Sequence, residues 1–233
     1  MGKSAIANTI TASLLNNGKR VMLINNEMDE EQVQHRLYSN LFNFSCKTLF
    51  NPEHMTEYQL RQLMEFSEDF RKLPLNLYCF AFKTILQIET EAKRLEERGE
   101  KPDIIIIDYL QLFMTGEKKP SKYEEVSALS WQIKMLAANL RCPVLALSQL
   151  NRKCEERKDK RPEPSDLRES GSLEQDATAV MLIYRDEVYN PNTQEPAILE
   201  INVAVNRNGS TGTDKYYVDF DHMKISNLST RED

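Results

Sequence analysis

Two hydrophobic periods alternate along the chain. Ile6, Ile10 and Leu14 recur every fourth residue, which predicts a helix from about Ser4 to Asn17 with Gly18 as its stop. "VMLINNE" (Val21 to Glu27) follows as a short buried strand. Residues 29 to 72 read as mostly helical, with Val33, Leu37, Leu60, Leu63 and Phe66 set among charges. "LNLYCF" (Leu75 to Phe80) is a second strand. Thr84 and Gln87 have capping-box spacing, so each can satisfy a free backbone N–H at a helix start. Ile85, Ile88, Ala92 and Leu95 form one face of that helix, and Gly99 and Pro102 end it.

The central run is "DIIIID" (Asp103 to Asp108), almost purely apolar, as in a parallel strand covered on both faces. A long helix is predicted from about Lys122 to Leu140, then strands at "PVLALSQ" (Pro143 to Gln149) and "AVMLIY" (Ala179 to Tyr184). "AILEINVAV" (Ala197 to Val205) and "KYYVDF" (Lys215 to Phe220) flank the turn-rich "NRNGSTG", predicting an antiparallel hairpin. Strands alternating with helices give an α/β sandwich with a mainly parallel sheet. "RKCEERKDKRPEP" (Arg152 to Pro164) is the most charged and least patterned stretch, and reads as a mobile loop.

Composition narrows the class. With 233 residues, 40% apolar and 28% charged, the chain suits one large globular domain. Its apolar runs are too short to span a bilayer, so no membrane partner is expected. Cys46, Cys79, Cys142 and Cys154 lie far apart with no close pair, which argues against a zinc site and for free thiols in a reducing, cytoplasmic setting. The net charge of −6 argues against a surface coated in positive charge, though a local basic strip would suffice to bind nucleic acid.

Several strand ends carry polar residues. Gly2-Lys3-Ser4 is how a phosphate-binding loop ends: backbone N–H groups wrap the phosphates, the Lys reaches them, and the Ser hydroxyl ligates Mg²⁺. Alone the triplet is common. A helix that starts at once and a buried strand after it strengthen the reading. Asp108 ends "DIIIID", where ligands bind in such folds, and is the natural partner of Ser4 around Mg²⁺. Glu27 ends another apolar strand and could activate a water, or could equally be a surface acid opening "EMDEE". Gln149 could sense a γ-phosphate. "DLRESGSLEQDA" holds Arg168, Glu169 and Gly171; on chemistry alone it reads as a structural loop, because its acids oppose electrostatic DNA binding. Arg207 precedes the Asn208-Gly209 turn, and from spacing alone reads as a solvated hairpin arginine.

Taken together, "IIIIDYLQL", "VLALSQLNR", "RPEPSDLRESGSLEQDA" and "IYRDEV" resemble the carboxy-terminal motor domain of the DnaB-type replicative helicases, over nearly the whole chain. The resemblance implies a RecA-like ATPase fold over residues 1–233, with ATP and Mg²⁺ as cofactors. It implies a homo-hexamer with ATP sites between subunits, single-stranded DNA in the pore and 5′-to-3′ translocation. The setting would be the cytoplasm of a bacterium or a phage-infected host, with a primase and a helicase loader as partners. By position, Gly2, Lys3 and Ser4 become the phosphate loop, Asp108 the Walker B acid and Glu27 the catalytic glutamate. Gln149 becomes the nucleotide-sensing glutamine and Arg207 an arginine finger. Arg168, Glu169 and Gly171 become a DNA-binding loop. A non-motor RecA-like ATPase, of recombinase or scaffold type, and an inactive fragment are the alternatives; "DLRESGSLEQDA" favours the helicase.

Three departures from the family pattern carry expectations. Val205 stands where the family usually has a lysine, so one trans-acting charge is absent. The family's amino-terminal domain and linker helix are not in the chain, so rings should be weak. The phosphate loop lacks its front half and its strand. In this fold that strand lies inside the sheet, so its absence should leave two strand edges unpaired, each buried backbone group without a partner costing about 1–3 kcal/mol. The sequence is therefore expected to belong to a longer protein, with a strand upstream of Gly2.

Overall fold

The structure, a computed structural model, describes residues 2–116 and 119–228, and does not describe the side chains at 122, 152, 153 and 168–171. Four strands lie parallel in the order β2-β1-β3-β4: β1 Val21–Asn25, β2 Leu75–Cys79, β3 Ile104–Asp108 and β4 Val144–Ala146. Alternation decides which side chains go to which face. Met22, Ile24, Ile105 and Ile107 pack under helices α5 (Ile85–Glu97) and α6 (Lys122–Leu140). Val21, Leu23 and Ile106 pack on the opposite face, against helices α1 (Lys3–Asn16) and α2 (Glu30–Phe42). Both faces are covered, which is why "IIIID" carries no polar alternation.

The predicted caps form. Thr84 and Gln87 make a complete capping box at α5, and Thr56 and Gln59 make another at α4 (Glu57–Arg71). A short helix, α3 (Cys46–Phe50), lies between α2 and α4. The four cysteines are free.

The expected parallel sheet is parallel at every pair, and it stops at β4. A second sheet, antiparallel throughout, holds β5 Ala179–Tyr184, β6 Ile198–Asn206, β7 Gly212–Asp219 and β8 Lys224–Asn227. The predicted hairpin is β6–β7, while β8 is too short and polar to stand out in the sequence. Helix α1 joins the two halves. Ala7 and Leu15 pack on the parallel sheet, and Ile6 packs on Leu199 and Val218 of the antiparallel one. The buried Asn8 donates from Nδ2 to the carbonyl oxygens of Arg36 and Met223 (2.9 and 3.2 Å) and latches the β7–β8 turn to this helix.

Between the sheets runs a cleft of about 1240 Å³, bordered by β4 and the residues after it on one side and by β5 on the other. Among the described residues no strand pairs with β5 on the side away from β6, nor with β4 on the side away from β3. Lys3 and Ile6 reach into this cleft.

The segment 152–164 differs from the expected mobile loop. Arg157 donates to both carboxylate oxygens of Asp166 (3.0 and 2.6 Å). Arg161 donates to both oxygens of Glu200 (2.7 and 2.8 Å) and lies over the Tyr184 ring. Acids within the segment share these arginines, Glu163 with Arg157 (3.3 Å) and Asp159 with Arg161 (3.4 Å), but the two-pronged partners lie outside it, Glu200 some forty residues on. Local pattern therefore could not show that the charges are used to pin it.

Candidate functional site

The site begins where α1 begins. Gly2 caps the helix with φ +118°, a left-handed conformation that strains any side chain. A Cβ there would also meet Leu199 Cδ1 at 3.3 Å. No side chain caps this end, and no acid lies in the first turn. The free N–H groups and the positive end of the helix dipole are thus available to an anion. Lys3 is half-buried and close enough to Asp108 and Glu27 to feel both. Burial lowers its pKa, and the two carboxylates oppose that shift.

Ser4 donates its hydroxyl hydrogen to Asp108 Oδ2 at 2.9 Å, which joins the helix start to the end of β3. Asp108 is buried, and its Oδ1 has no hydrogen-bond partner. Burial pushes its pKa up; the Ser4 hydrogen bond and the Lys3 charge pull it down, and Glu27 pushes it up. An orphaned carboxylate oxygen beside a serine hydroxyl fits Mg²⁺, which binds through one or two carboxylates and otherwise through phosphates and water. Among the described residues there is no cluster of three or more His, Cys, Asp or Glu able to hold a metal by itself. That fits an ion which arrives with a phosphate ligand.

Glu27 stands exposed in the turn after β1. The buried Asn25 shapes this turn: its Oδ1 accepts from the backbone N–H of Glu27 (2.9 Å) and of Met28 (2.7 Å). Asn26 N–H donates to the Asp108 carbonyl oxygen at 2.9 Å, so Glu27 is held beside the end of β3. Gln149 is also exposed, three residues beyond β4 and lining the cleft with Lys3.

Arg207 is not part of this cluster. The β5–β6 register pairs Asn206 with Ala179 and Glu200 with Tyr184, while Gly2 touches Leu199. At about 3.3 Å per strand residue, the step from Leu199 to Arg207 places Arg207 about 26 Å along β6 from the helix start, at the far end of the cleft that Lys3 and Gln149 also line. Its guanidinium donates to the Gln175 carbonyl oxygen at the end of α7 (Gly171–Asp176). Val205 pairs with Val180 in the same ladder. Arg168, Glu169 and Gly171, the expected DNA-binding residues, fall where the side chains are not described.

The sequence reading passed over Asn25, Gln111, Arg185 and Phe220. Arg185 stacks on the Phe220 ring, 4.1 Å from its centroid, and Phe220 lies 3.9 Å from where a Gly2 Cβ would be. An aromatic face so placed suits a flat base. Only the arginine of "IYRDE" hinted at it.

A helix start open to phosphate, a serine bonded to a strand-end acid and a parallel sheet covered on both faces define a RecA-like nucleotide-binding domain. Solved structures agree. An ATPase domain of known structure superposes with a TM-score of 0.90 at 30% identity, covering 97% of this chain and 81% of that one. A DnaB-like replicative helicase, described with its interactions with primase, gives 0.91 at 29%, covering 98% and 55%. The family model for the DnaB-like helicase C terminal domain matches residues 1–227, and the chain belongs to that family. Among curated relatives, the replicative DNA helicase DnaB of Haemophilus influenzae is 33% identical over 235 residues, covering 100% of this chain and 50% of the relative. Replicative DNA helicase DnaC of Bacillus subtilis is 35% identical over 244 residues, covering 100% and 51%. The chain thus spans about half the length of the curated relatives it matches.

Proposed function

We propose that the chain is the motor of a replicative DNA helicase, which binds ATP at α1 and uses its hydrolysis to move 5′-to-3′ along single-stranded DNA. The observation that carries this is the Ser4–Asp108 hydrogen bond at an uncapped helix start, beside Lys3 and Glu27. In this reading Lys3 and the first-turn amides bind the phosphates. Ser4 and Asp108 would hold Mg²⁺, which when bound neutralises charge on the phosphate oxygens. Glu27 orients the attacking water and accepts its proton at the carboxylate. The Arg185–Phe220 pair receives the base.

The position of Arg207 supports an assembly. An arginine about 26 Å along β6 from the residue beside Gly2 suits a neighbour's phosphate site better than its own, as in a ring with sites between subunits. A homo-hexamer around single-stranded DNA, with a primase and a loader as partners in a bacterial or phage-infected cytoplasm, is the matching context. The DNA-contacting role stays with Arg168, Glu169 and Gly171. Among the described residues no helix is long and apolar enough to cross a membrane.

The cleft between β4 and β5 supports a further part of the reading. Two strand edges that face one opening call for an extended segment with N–H and C=O groups on both sides. Joined to Gly2, such a strand would run parallel to β4 and supply the front of the phosphate loop. The test is turnover of ATP with and without single-stranded DNA, by the 233-residue chain and by the chain extended at Gly2 with an apolar strand and glycine-rich loop. DNA-stimulated turnover in the extended protein is the expected result. Turnover indifferent to DNA would favour a non-motor ATPase, and none in either form would favour an inactive fragment.

A further inference from the structure

The bonding between β3 and β4 continues past the end of β4. Leu147 N–H donates to the Ile107 carbonyl oxygen (2.9 Å), and Leu110 N–H donates to that of Leu147 (2.8 Å). One step further, a side chain takes over. Gln111 Oε1 accepts from the Gln149 N–H (3.2 Å), and Gln111 Nε2 donates to the Gln149 carbonyl oxygen (3.2 Å) and to Ser148 Oγ (2.8 Å). The amide thus pairs with both backbone groups of Gln149, as a neighbouring strand residue would. Glutamine suits this because its side chain carries a donor and an acceptor in one plane.

Gln111 lies three residues after Asp108, in the 3₁₀ turn Leu110–Leu112. Its clamp therefore refers the place of Gln149 to the end of the strand that carries the Asp108 carboxylate. Without it, the Gln149 backbone would lose both of its bonds to the end of β3, and among the described residues β4 has no strand partner on the cleft side to replace them.

We propose that Gln111 is a positioning residue for Gln149: it fixes the backbone from which the Gln149 side chain projects, and so sets its distance from the phosphate site. This rests on the reading of Gln149 as a group that acts on bound nucleotide. Gln111 itself need not touch the ligand.

The test uses Gln111→Ala, Gln149→Ala, the double variant and Gln111→Glu, which keeps the acceptor but loses both donated bonds. Displacing a reacting group by about 1 Å can cost on the order of a hundredfold in rate. Gln111→Ala is accordingly expected to lower kcat at least about tenfold with KM changed less than about twofold. The double variant should be no worse than Gln149→Ala alone, and Gln111→Glu should fall with Gln111→Ala. Exchange of the Gln149 amide hydrogen, read without nucleotide, should quicken in Gln111→Ala while exchange in β1 is unchanged. Additive losses in the double variant, a KM effect at constant kcat, or unaltered exchange at Gln149 would each overturn the proposal. If the unaltered protein turns over no ATP, the nucleotide reading fails by itself, and the exchange measurement still decides whether the clamp exists.

Discussion

Ser4 and Asp108 are joined by a 2.9 Å hydrogen bond although 104 positions separate them in the chain. One begins a helix and the other ends a strand. The parallel sheet brings the two ends together, because a strand that runs parallel to its neighbours delivers its last residue to the same rim.

Asp108 should be a liability to the nucleotide-free fold. Burial raises its pKa above the ordinary 3.8, so the folded state keeps the proton where the unfolded chain has released it. Stability therefore falls as pH rises from the unfolded value through the raised folded one, and the penalty is complete above that. Asp108→Asn keeps an acceptor for Ser4 and removes the penalty. Its melting temperature should exceed that of the unaltered protein at about pH 7 and match it near pH 3, while Mg²⁺-dependent nucleotide affinity falls at least about tenfold. A lower melting temperature at neutral pH would contradict this account.

Lys3→Ala and Glu27→Ala should separate binding from chemistry. Lys3→Ala should weaken ATP affinity by about tenfold or more, because it removes the cation beside the phosphates. Glu27→Ala should leave affinity within about twofold and reduce turnover by roughly 10²–10⁴. Equilibrium binding of a fluorescent nucleotide, set beside steady-state turnover, reads both. Equal losses of affinity in the two variants would remove Glu27 from the role of base.

Arg207→Ala should abolish turnover in uniform assemblies and be rescued in mixed ones. Mixing it with Lys3→Ala, which spoils the phosphate site and keeps Arg207, should restore some sites that have both parts. Activity that shows no maximum across the mixing ratio would argue that Arg207 acts within its own chain or not at all.

The Arg161–Glu200 pair predicts a structural loss without a direct catalytic one. Glu200 is buried, and Arg161→Met would leave its charge without its two-pronged partner. Breaking fully buried pairs costs about 3–5 kcal/mol; Arg161 is half exposed, so about 1–2 kcal/mol is expected. Urea unfolding measures it. Glu200→Gln with Arg161→Met should recover part of the loss, since the buried carboxylate, left with only Lys215 at 3.9 Å, is then gone.

Much of the fold was legible because burial on both faces leaves a strong mark. "DIIIID", the Thr84–Gln87 box and the Asn208-Gly209 turn each state their structure within a few residues. The site was legible to the extent that its acids sit at strand ends. Asn25, Gln111 and Phe220 were not, because each acts through a partner distant in sequence or through a backbone group no side-chain pattern reveals. The charged segment 152–164 misled for the same reason, with Glu200 as the hidden partner of Arg161.

Periodicity and motif are local properties of a chain, and here they were enough to settle the order of elements, the covered parallel sheet and the family. They could not settle that β5 joins a separate antiparallel sheet, that a cleft divides it from β4, or that Arg207 stands far along β6 from the start of α1. Those are matters of pairing and register, visible once the chain is folded. Backbone hydrogen bonds between distant strands set them, and a backbone group is the same at nearly every residue.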